Sequence, residues 1–512
     1  MSLVEYIEKS TLDYLASTGK SKRKAYGQFF TPSSIAQYMG SLLLCRKTEY
    51  SILDAGAGSG ILSAAVLDRK ASFGNPATIH LDAYENNPDI VPLLKSNLDY
   101  AFFVLRQNNI ILNYRVMETN FITQNQFAWT GLDTREIKYD VVVSNPPYKK
   151  IAKNSPEALV MNEIVHGQPN LYFLFMAMGA RLLKENGEFI FIVPRSFSSG
   201  LYFTAFRHWF FDNMAITHLH LFDSRDSVFQ HDNILQETII LRAEKNATCK
   251  RDVLLTQCAD SNSFSDLTAV SIPYPICVKN DRNAFLFLPT SEEDIAVLEF
   301  VNQWSNTLSD SGYRMKTGIV VDFREKEWLR TQAGEHTIPL LWAYNFDKHR
   351  VEFPCPNDEK PQYLFASEDT ARLQMKIANY VLLKRFTSKE ERRRLQCALL
   401  FKDDFAQYPG ISTENHLNFI TKIGGELTRE EMFGLFVVIN STYMDRYFRI
   451  LNGSTQVNAN EINSIPFPSA DEVMEMGRTA EAFEHLDEEI CDRILEDKYA
   501  PQTVLSQNRR VI

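Results

Sequence analysis

Short apolar runs alternate with longer amphipathic segments between about residues 50 and 243. The apolar runs predict β-strands, and the amphipathic segments predict helices. The predicted strands are Ser51–Asp54, Ile79–Tyr84, Asp140–Ser144, Glu188–Val193 and Ile234–Leu241, and the predicted helices are Ile61–Lys70, Ile90–Leu105 and Tyr172–Lys184. Strands that alternate with helices favour a mainly parallel sheet with helices on both faces, and ligands of such sheets bind at the carboxyl ends of the strands.

The pattern changes after about residue 244, where strand-like pieces become irregular and proline-rich breaks appear at 272–275 and 353–356. We therefore predict four parts. They are an N-terminal helix and basic linker over 1–26, an α/β domain over 27–245, a second domain of mixed α/β character over 246–470, and a helical tail over 471–512.

Composition and charge exclude several classes of protein. A chain of 512 residues that is 45% hydrophobic and 23% charged can bury large cores, and its net charge of −10 excludes a histone-like polycation. Seven scattered cysteines predict a reduced, intracellular protein without a disulfide framework or zinc knuckle, and ten histidines form no ligand motif, so we predict no metal. The N-terminus lacks a signal peptide and the longest apolar stretch is too short to span a bilayer, so we expect a cytoplasmic protein with no membrane partner.

Two candidate ligand-binding motifs end the first two predicted strands. The first strand runs into the glycine-rich turn 55–60, where glycines let the backbone approach a ligand and aim helix N–H groups at it. Asp54, two positions before Gly56, makes the turn typical of S-adenosylmethionine sites. Glu85 ends the second strand, where a carboxylate can accept hydrogen bonds from both ribose hydroxyls. Taken alone, each motif is also compatible with a purely structural role.

A third motif, Asn145-Pro146-Pro147-Tyr148, directly follows the strand Asp140–Ser144. The two prolines end the strand and stiffen the turn. The amine of adenine is a poor nucleophile because its lone pair is conjugated into the ring. The side-chain carbonyl of Asn145 and the backbone carbonyl of Pro146 can each accept one N–H and so direct the lone pair toward an electrophilic methyl group. The Tyr148 ring can stack on the base, while a plain proline turn is the alternative interpretation.

Together with Gly27–Pro32, these motifs resemble the ordered motifs of the gamma-class N6-adenine DNA methyltransferases, the stand-alone modification enzymes of type II restriction–modification systems. The segment Gly187–Pro194 also fits that family. The resemblance covers residues 27 to about 243 well and extends more loosely into the second half. It implies a Rossmann-like S-adenosylmethionine-dependent methyltransferase domain at 27–245, followed by a mixed α/β target-recognition, DNA-binding domain at 246–470.

The resemblance also implies roles for single residues. The residues implied to bind the cofactor are Thr31 and Pro32 at its methionine part, Asp54, Gly56 and Gly58 along its pocket, Glu85 at its ribose, and Asn120 and Phe121 at its adenine. The family usually has Asp-Phe at the last position, so Asn120 is a departure. The residues implied to act on DNA are Asn145, Pro146 and Tyr148 in catalysis, Tyr148 and Phe229 in stacking on the target base, and Lys384, Arg385, Lys389, Arg392 and Arg393 at the phosphates. By composition alone, this basic run is equally compatible with a solvated helix face.

These observations predict a sequence-specific DNA methyltransferase. It would transfer a methyl group from S-adenosylmethionine to the N6 amine of adenine in double-stranded DNA, by base flipping and direct transfer. In a restriction–modification system it would protect host DNA, with a cognate restriction endonuclease acting separately, in the nucleoid of a prokaryotic cytoplasm. One alternative is an N-methyltransferase of RNA adenine or of a protein glutamine amide. The other is a non-catalytic DNA-binding protein on the same scaffold.

Overall fold

The computed structural model describes residues 1–17, 30–132, 138–222, 237–246, 250–260, 264–356, 360–388, 390–453 and 455–499. The chain divides into two compact units, Met1–Thr290 and Ser291–Ile512.

The first unit is built on a nine-stranded sheet with the order β3-β2-β1-β4-β5-β7-β6-β8-β9. Its strands are β1 (Glu49–Ala55), β2 (Ala77–Tyr84), β3 (Ile110–Met117), β4 (Tyr139–Ser144), β5 (Leu183–Pro194), β6 (Met214–Phe222), β7 (Thr238–Lys245), β8 (Val253–Cys258) and β9 (Thr268–Ile272). From β3 to β5 all neighbouring strands are parallel. Strand β7 runs antiparallel to both β5 and β6. The carboxyl ends of β1, β2 and β4 therefore meet at one edge of the sheet.

Helices cover both faces of this sheet. The helices of this unit are α1 (Leu3–Ser17), α2 (Ser33–Ser41), α3 (Ile61–Ser72), α4 (Val91–Gln107), α5 (Phe121–Gln124), α6 (Gln126–Thr130), α7 (Pro156–Val160), α8 (Leu171–Leu182), α9 (Thr204–Asn213) and α10 (Tyr274–Cys277). In strand β4, successive side chains alternate between the two faces of the sheet. Val141 and Val143 belong to the core formed with α1 to α4, whereas Val142 faces Gly179 of α8 on the other side. The predicted α/β class with a mainly parallel sheet is confirmed.

The sequence pattern did not indicate strands β3, β6, β8 and β9. Strand β3 alternates buried Ile110 and Leu112 with exposed or half-buried residues, and it lies at one end of the sheet. Strand β6 carries polar His218 and His220 among its apolar residues. The first unit extends past the predicted boundary at 245 because β8 pairs with β6 and β9 pairs with β8.

The N-terminal helix is also part of this unit. Helix α1 begins where the backbone N–H groups of Leu3 and Val4 donate to the Asp68 carboxylate of α3, at 3.1 and 3.0 Å. Its buried residues Leu3, Val4 and Ile7 join the core beneath the sheet. The predicted basic linker lies outside the described residues.

The second unit contains three smaller sheets, with the orders β11-β20-β17-β18-β15-β14, β12-β16-β13-β19 and β10-β21. The strands are β10 (Asn306–Thr307), β11 (Tyr313–Thr317), β12 (Leu329–Arg330), β13 (Thr337–Leu341), β14 (Phe346–Asp347), β15 (Arg350–Val351), β16 (Tyr363–Phe365), β17 (Tyr380–Lys384), β18 (Cys397–Leu400), β19 (Ser412–Thr413), β20 (Leu417–Lys422) and β21 (Pro466–Phe467). The helices are α11 (Glu292–Asn302), α12 (Arg429–Ile439), α13 (Thr442–Leu451), α14 (Ala459–Ser464), α15 (Ala470–Glu481) and α16 (Glu488–Tyr499).

Helices α15 and α16 correct the prediction of a separate C-terminal tail. Val473, Met476 and Ala480 of α15 are buried, as are Ile494 and Leu495 of α16. Their apolar residues follow helical spacing and are covered within the second unit, so the described part of the predicted tail belongs to its core. In the described part of the chain, no helix combines the length and the apolar character needed to cross a membrane.

Candidate active site

The glycine turn after β1 forms the floor of a cavity at the carboxyl edge of the sheet. Gly56, Gly58 and Gly60 have φ angles of 80°, 55° and 86°, a left-handed region that favours glycine. A Cβ atom on Gly56 would lie 3.5 Å from the ring of Phe175, and one on Gly58 would lie 3.8 Å from the ring of Phe30. All four of these cavity-lining residues therefore border the same space, and side chains on the two glycines would partly fill it.

The cavity has a volume of about 350 Å³, within the usual range for a small-molecule site. It brings together predicted site residues from β1, β2, β4 and the segment after β3. The lining residues are Phe30, Gly56, Gly58, Tyr84, Glu85, Asn86, Thr119, Asn120, Phe121, Asn145, Pro146, Pro147, Lys149, Ile151, Glu157, Leu171 and Phe175. The expectation that the motifs meet at one edge of the sheet is confirmed by this arrangement.

Glu85 is buried and fixes the turn from the neighbouring strand. Its Oε2 accepts from the backbone N–H of Gly58 at 3.0 Å, and its Oε1 accepts from that of Asn87 at 2.8 Å. Burial raises the pKa of Glu85, and these backbone N–H groups act in the opposite direction by stabilising the carboxylate. The carboxylate thus holds the backbone around the cavity and also lines it.

Asp54 does not line the cavity, although the resemblance implies that it does. The side chain is fully buried, and its Oδ2 accepts from the backbone N–H of Ser63 at 3.1 Å and from its hydroxyl at 2.6 Å. It therefore fixes the first turn of α3 to the end of β1. Its Oδ1 has no hydrogen-bond partner within the described residues. Burial, reinforced by the negative charge of Glu85 and opposed by the Ser63 bonds, raises the pKa of Asp54 to about 7.

This shifted pKa predicts a pH-dependent stability. The folded carboxyl group binds its proton more tightly than the unfolded one, whose pKa is 3.8. Its stabilising contribution is complete below about pH 4 and is lost as the pH rises to about 7. Asp54→Asn removes the titrating group, so we expect its free energy of unfolding to fall less than that of the wild type between these pH values. Urea unfolding across this range measures the difference. The exposed Asp252→Asn variant is the control, and a pH dependence of Asp54→Asn equal to the wild type would refute the assignment.

The turn after β4 holds Asn145 in a defined orientation. The hydroxyl of Ser144 donates to the backbone carbonyl of Ala55, which ties the ends of β4 and β1 together. The Asn145 Nδ2 then donates to the hydroxyl of Thr31 at 3.1 Å. This bond fixes the orientation of the side-chain amide, with its nitrogen toward Thr31. Pro32, next to Thr31, is the N-cap residue of α2.

Tyr148 packs against the core and is not among the cavity-lining residues. Its hydroxyl donates to the backbone carbonyl of Ile192 at 3.1 Å, and its ring meets that of Tyr172 edge-on at 6.3 Å. Burial raises the pKa of Tyr148 well above its usual range, so the phenol stays neutral. Its role in stacking on a base stays a prediction. Two more residues predicted for the DNA site, Phe229 and Lys389, lie outside the described residues.

The far wall of the cavity is aromatic. The Phe121 ring lies 5.1 Å from Tyr84 and 5.1 Å from Phe175, between centroids. Phe175 was not indicated by the sequence because α8 is apolar on almost every face, so no periodicity distinguishes its cavity-facing residue. Asn120 lines the cavity as expected, but its Oδ1 accepts from the backbone N–H groups of Ile122 and Thr123 and so caps α5.

The basic side chains between Lys384 and Arg393 differ in whether they are bonded to the backbone of the second unit or exposed. Arg393 donates to the backbone carbonyls of Asn440 and Ser441, at 2.8 and 2.9 Å, and so caps the end of α12. Arg385 donates to the backbone carbonyl of Asn415 at 3.0 Å. By contrast, the Arg392 side chain is 85% exposed.

Arg392 forms an ion pair with Glu488 of α16. It lines a cavity of about 540 Å³ together with Lys384 and Lys348. Of the predicted phosphate contacts, Arg392 is thus exposed and paired with one carboxylate, whereas Arg393 supports the fold. Among the residues that the structure describes, no three His, Cys, Asp or Glu side chains cluster to hold a metal ion.

Comparisons with known proteins identify the family to which the chain belongs. Residues 45–229 match the model of the Eco57I restriction-modification methylase family. The chain is 34% identical over 485 residues to the type II methyltransferase M.BsuBI of Bacillus subtilis, covering 93% of this chain and 94% of that protein. It is 32% identical over 472 residues to the type II methyltransferase M.PstI of Providencia stuartii, covering 92% of each.

Among solved structures, the chain is similar to a class I S-adenosylmethionine-dependent methyltransferase of Listeria monocytogenes, with 20% identity and a TM-score of 0.40 over 52% of this chain and 76% of that one. The resemblance found in the sequence motifs is confirmed by the two full-length relatives. Over nearly its whole length, the chain belongs to the type II methyltransferases of restriction–modification systems: it is a sequence-specific DNA methyltransferase whose expected cofactor is S-adenosylmethionine.

Proposed function

We propose that the protein methylates the exocyclic N6 amine of adenine in double-stranded DNA. The observation that carries this proposal is the orientation of Asn145 at the cavity, with its amide nitrogen bonded to Thr31. A side-chain carbonyl held in this way can accept an N–H from an amine that lies beside the cavity. An exocyclic amine is the acceptor that such a group would activate.

The cavity fits the cofactor by three features. The glycine turn leaves room that side chains would fill, the buried carboxylate of Glu85 can accept from ribose hydroxyls, and the rings of Phe121 and Phe175 offer apolar surface to a purine. S-adenosylmethionine supplies an electrophilic methyl group on a sulfonium. The roles of the chain are to bind, orient and keep water away from it.

The main contribution of the chain to catalysis is then to position the reacting amine. The carbonyl oxygens of Asn145 and Pro146 would accept the two N–H bonds of the amine and favour a pyramidal nitrogen. The lone pair of that nitrogen would then be available to a bound methyl donor, and direct transfer would need no covalent enzyme intermediate. The methylated nitrogen would carry a positive charge and would lose one proton to solvent, while the carbonyl of Asn145 would only accept a hydrogen bond from it.

A base within a duplex must first leave the stack, at a cost of a few kcal/mol. We assign stacking on the extruded adenine to Tyr148 and Phe229. The half-buried Tyr148 ring follows the two prolines of the same motif as Asn145, which supports this assignment. A target adenine replaced by 2-aminopurine should gain fluorescence on binding, because stacking in the duplex quenches that base.

Target recognition is assigned to the second unit. The described residues that line the cavity all belong to the first unit, which leaves the more than 200 residues of the second unit for another role, and Arg392 presents an exposed guanidinium there. Exchanging residues from Ser291 onward with those of a relative should move the methylated sequence and leave the methylated atom unchanged. An active chimera that kept the original sequence would refute this assignment.

Arg392→Ala should weaken DNA binding similarly for all sequences and lower the slope of log K against log salt by about 1, because one phosphate contact is lost. Binding measured by fluorescence anisotropy over a series of salt concentrations tests this. The matched control is Arg372→Ala, since Arg372 is also exposed and paired with a single carboxylate, that of Glu325. An unchanged slope for Arg392→Ala would show that this side chain does not reach the DNA.

The same proposal includes the biological role of the methylation, a separate nuclease and the location of the protein in the cell. Methylation would protect host DNA against a cognate endonuclease that acts separately, with the protein at the nucleoid of a prokaryotic cytoplasm. To test the substrate class, labelled cofactor is offered with DNA, RNA and a glutamine-containing peptide in competition. Label in DNA alone supports the proposal. Label in RNA or peptide, or DNA binding without transfer, would support the alternatives.

A further inference from the structure

The side-chain oxygen of Asn120 is fully engaged by the protein. Its Oδ1 accepts from the backbone N–H of Ile122 at 3.0 Å and from that of Thr123 at 3.1 Å, which caps α5. A carbonyl oxygen has two lone pairs, so both are used. Its Nδ2 donates to the carboxylate of Glu157 at 2.8 Å. Asn120 can therefore accept a hydrogen bond from a ligand only by giving up the helix cap.

Glu157 offers the acceptor that Asn120 lacks. It lies on α7, is half-buried, and lines the same cavity as Asn120 and Phe121. One carboxylate oxygen, Oε1, receives the Asn120 amide. Within the described residues Glu157 makes no other hydrogen bond, so Oε2 remains as a negatively charged acceptor at the cavity wall.

The two side chains form a matched pair. A carboxylate at position 120 would face that of Glu157 at hydrogen-bond distance, and two like charges so close disfavour each other strongly. The amide of Asn120 instead donates to Glu157 and fixes its orientation. The pair thus keeps one carboxylate at this wall and places it at position 157.

We propose that Glu157 is the residue that reads the adenine of the cofactor, by accepting a hydrogen bond from its exocyclic amine. The aromatic rings of Phe121 and Phe175 would hold the purine against this wall. A carboxylate that accepts from an amino group also repels a carbonyl oxygen at the same position. Glu157 therefore makes the pocket specific for a 6-amino purine over a 6-oxo purine. The inference depends on the cofactor and not on the methylated base, so its failure leaves the proposed substrate untouched.

The test measures binding, without turnover, of two stable probes: S-adenosylhomocysteine and its 6-oxo counterpart, S-inosylhomocysteine. The wild type should bind the adenosyl form at least about tenfold more tightly, as expected for a hydrogen bond to a charged group. Glu157→Gln should weaken binding of the adenosyl form by about tenfold. It should strengthen binding of the inosyl form, because a glutamine amide can donate to the 6-oxo group. Isothermal titration calorimetry gives both dissociation constants, and melting temperatures show that the variant is folded. The exposed Glu163→Gln variant, which changes a carboxylate outside the cavity, is the control.

Exchanging the two groups sharpens the test. Asn120→Asp alone would place two carboxylates together and should weaken binding of the adenosyl form. Combined with Glu157→Gln, it restores one carboxylate and one amide and should recover most of the affinity and the preference for the adenosyl form. Aspartate caps helices as well as asparagine does, so α5 is preserved. If Glu157→Gln lost affinity equally for both probes, or if the double variant were weaker than either single one, Glu157 would be a structural residue and the proposal would be wrong.

Discussion

Replacing Asn145 by alanine is expected to lower kcat for methyl transfer by about a hundredfold to a thousandfold while the dissociation constant for the cofactor stays unchanged. The amine would lose its side-chain acceptor, and loss of one such positioned hydrogen-bonding group typically costs about 3 kcal/mol in the transition state. Glu85 and the glycine turn are untouched, so the cavity should still bind its ligand. Single-turnover kinetics with labelled cofactor measure the rate, and calorimetry with S-adenosylhomocysteine measures binding.

Two variants serve as controls for this result. Thr31→Val removes the group that accepts from Asn145 and should lower the rate less than Asn145→Ala does, because the carbonyl oxygen remains present but less well oriented. The exposed Asn162→Ala variant changes an asparagine outside the cavity and should retain the wild-type rate. A wild-type rate for Asn145→Ala would remove this residue from the chemistry.

Gly477→Ala should destabilise the second unit. Helices α12 and α15 pack so closely that a Cβ atom on Gly477 would lie 1.8 Å from the backbone carbonyl oxygen of Glu430. Gly434 makes the reciprocal approach, 1.9 Å from the carbonyl oxygen of Val473. Overpacking of this kind costs about 3 kcal/mol, against about 1 kcal/mol gained from the better helix propensity of alanine. The net loss corresponds to a fall in Tm of about 4 to 8 °C for a unit of this size.

Calorimetry of the variant and of Gly425→Ala checks this expectation. A Cβ atom on Gly425 would meet only the flexible side chain of Lys422, at 3.5 Å or more, so this control should melt within about 1 °C of the wild type. An unchanged Tm for Gly477→Ala would mean that the two helices are not packed through their glycines.

The cavity could be predicted from the sequence because its main parts are local. A strand, a glycine turn and a helix that follow one another can be recognised from the hydrophobic pattern and from the glycines. Parallel strands then bring Gly56, Glu85 and Asn145 to one edge of the sheet. Asp54 shows the limit of this reasoning. A carboxylate before a glycine turn can face a ligand or cap the next helix, and only the bonds to Ser63 distinguish the two.

The remaining features depend on contacts between distant parts of the chain. Glu157 meets Asn120 across 37 residues, and no spacing rule links them. Strands β8 and β9 are recognised as part of the first unit only through their pairing with β6. Likewise, the polar composition of α15 and α16 suggested a tail, whereas the glycine contact with α12 places α15 in the core.

The identity of the methylated atom tests the central claim most directly. The full-length protein is incubated with isotopically labelled S-adenosylmethionine and unmodified genomic DNA, the DNA is digested to nucleosides, and the labelled nucleoside is identified by mass spectrometry. We predict that all label appears as N6-methyldeoxyadenosine, at one short sequence, and that Asn145→Ala abolishes nearly all of it. Label in a methylated cytosine, or an undiminished yield of N6-methyldeoxyadenosine from Asn145→Ala, would contradict the account.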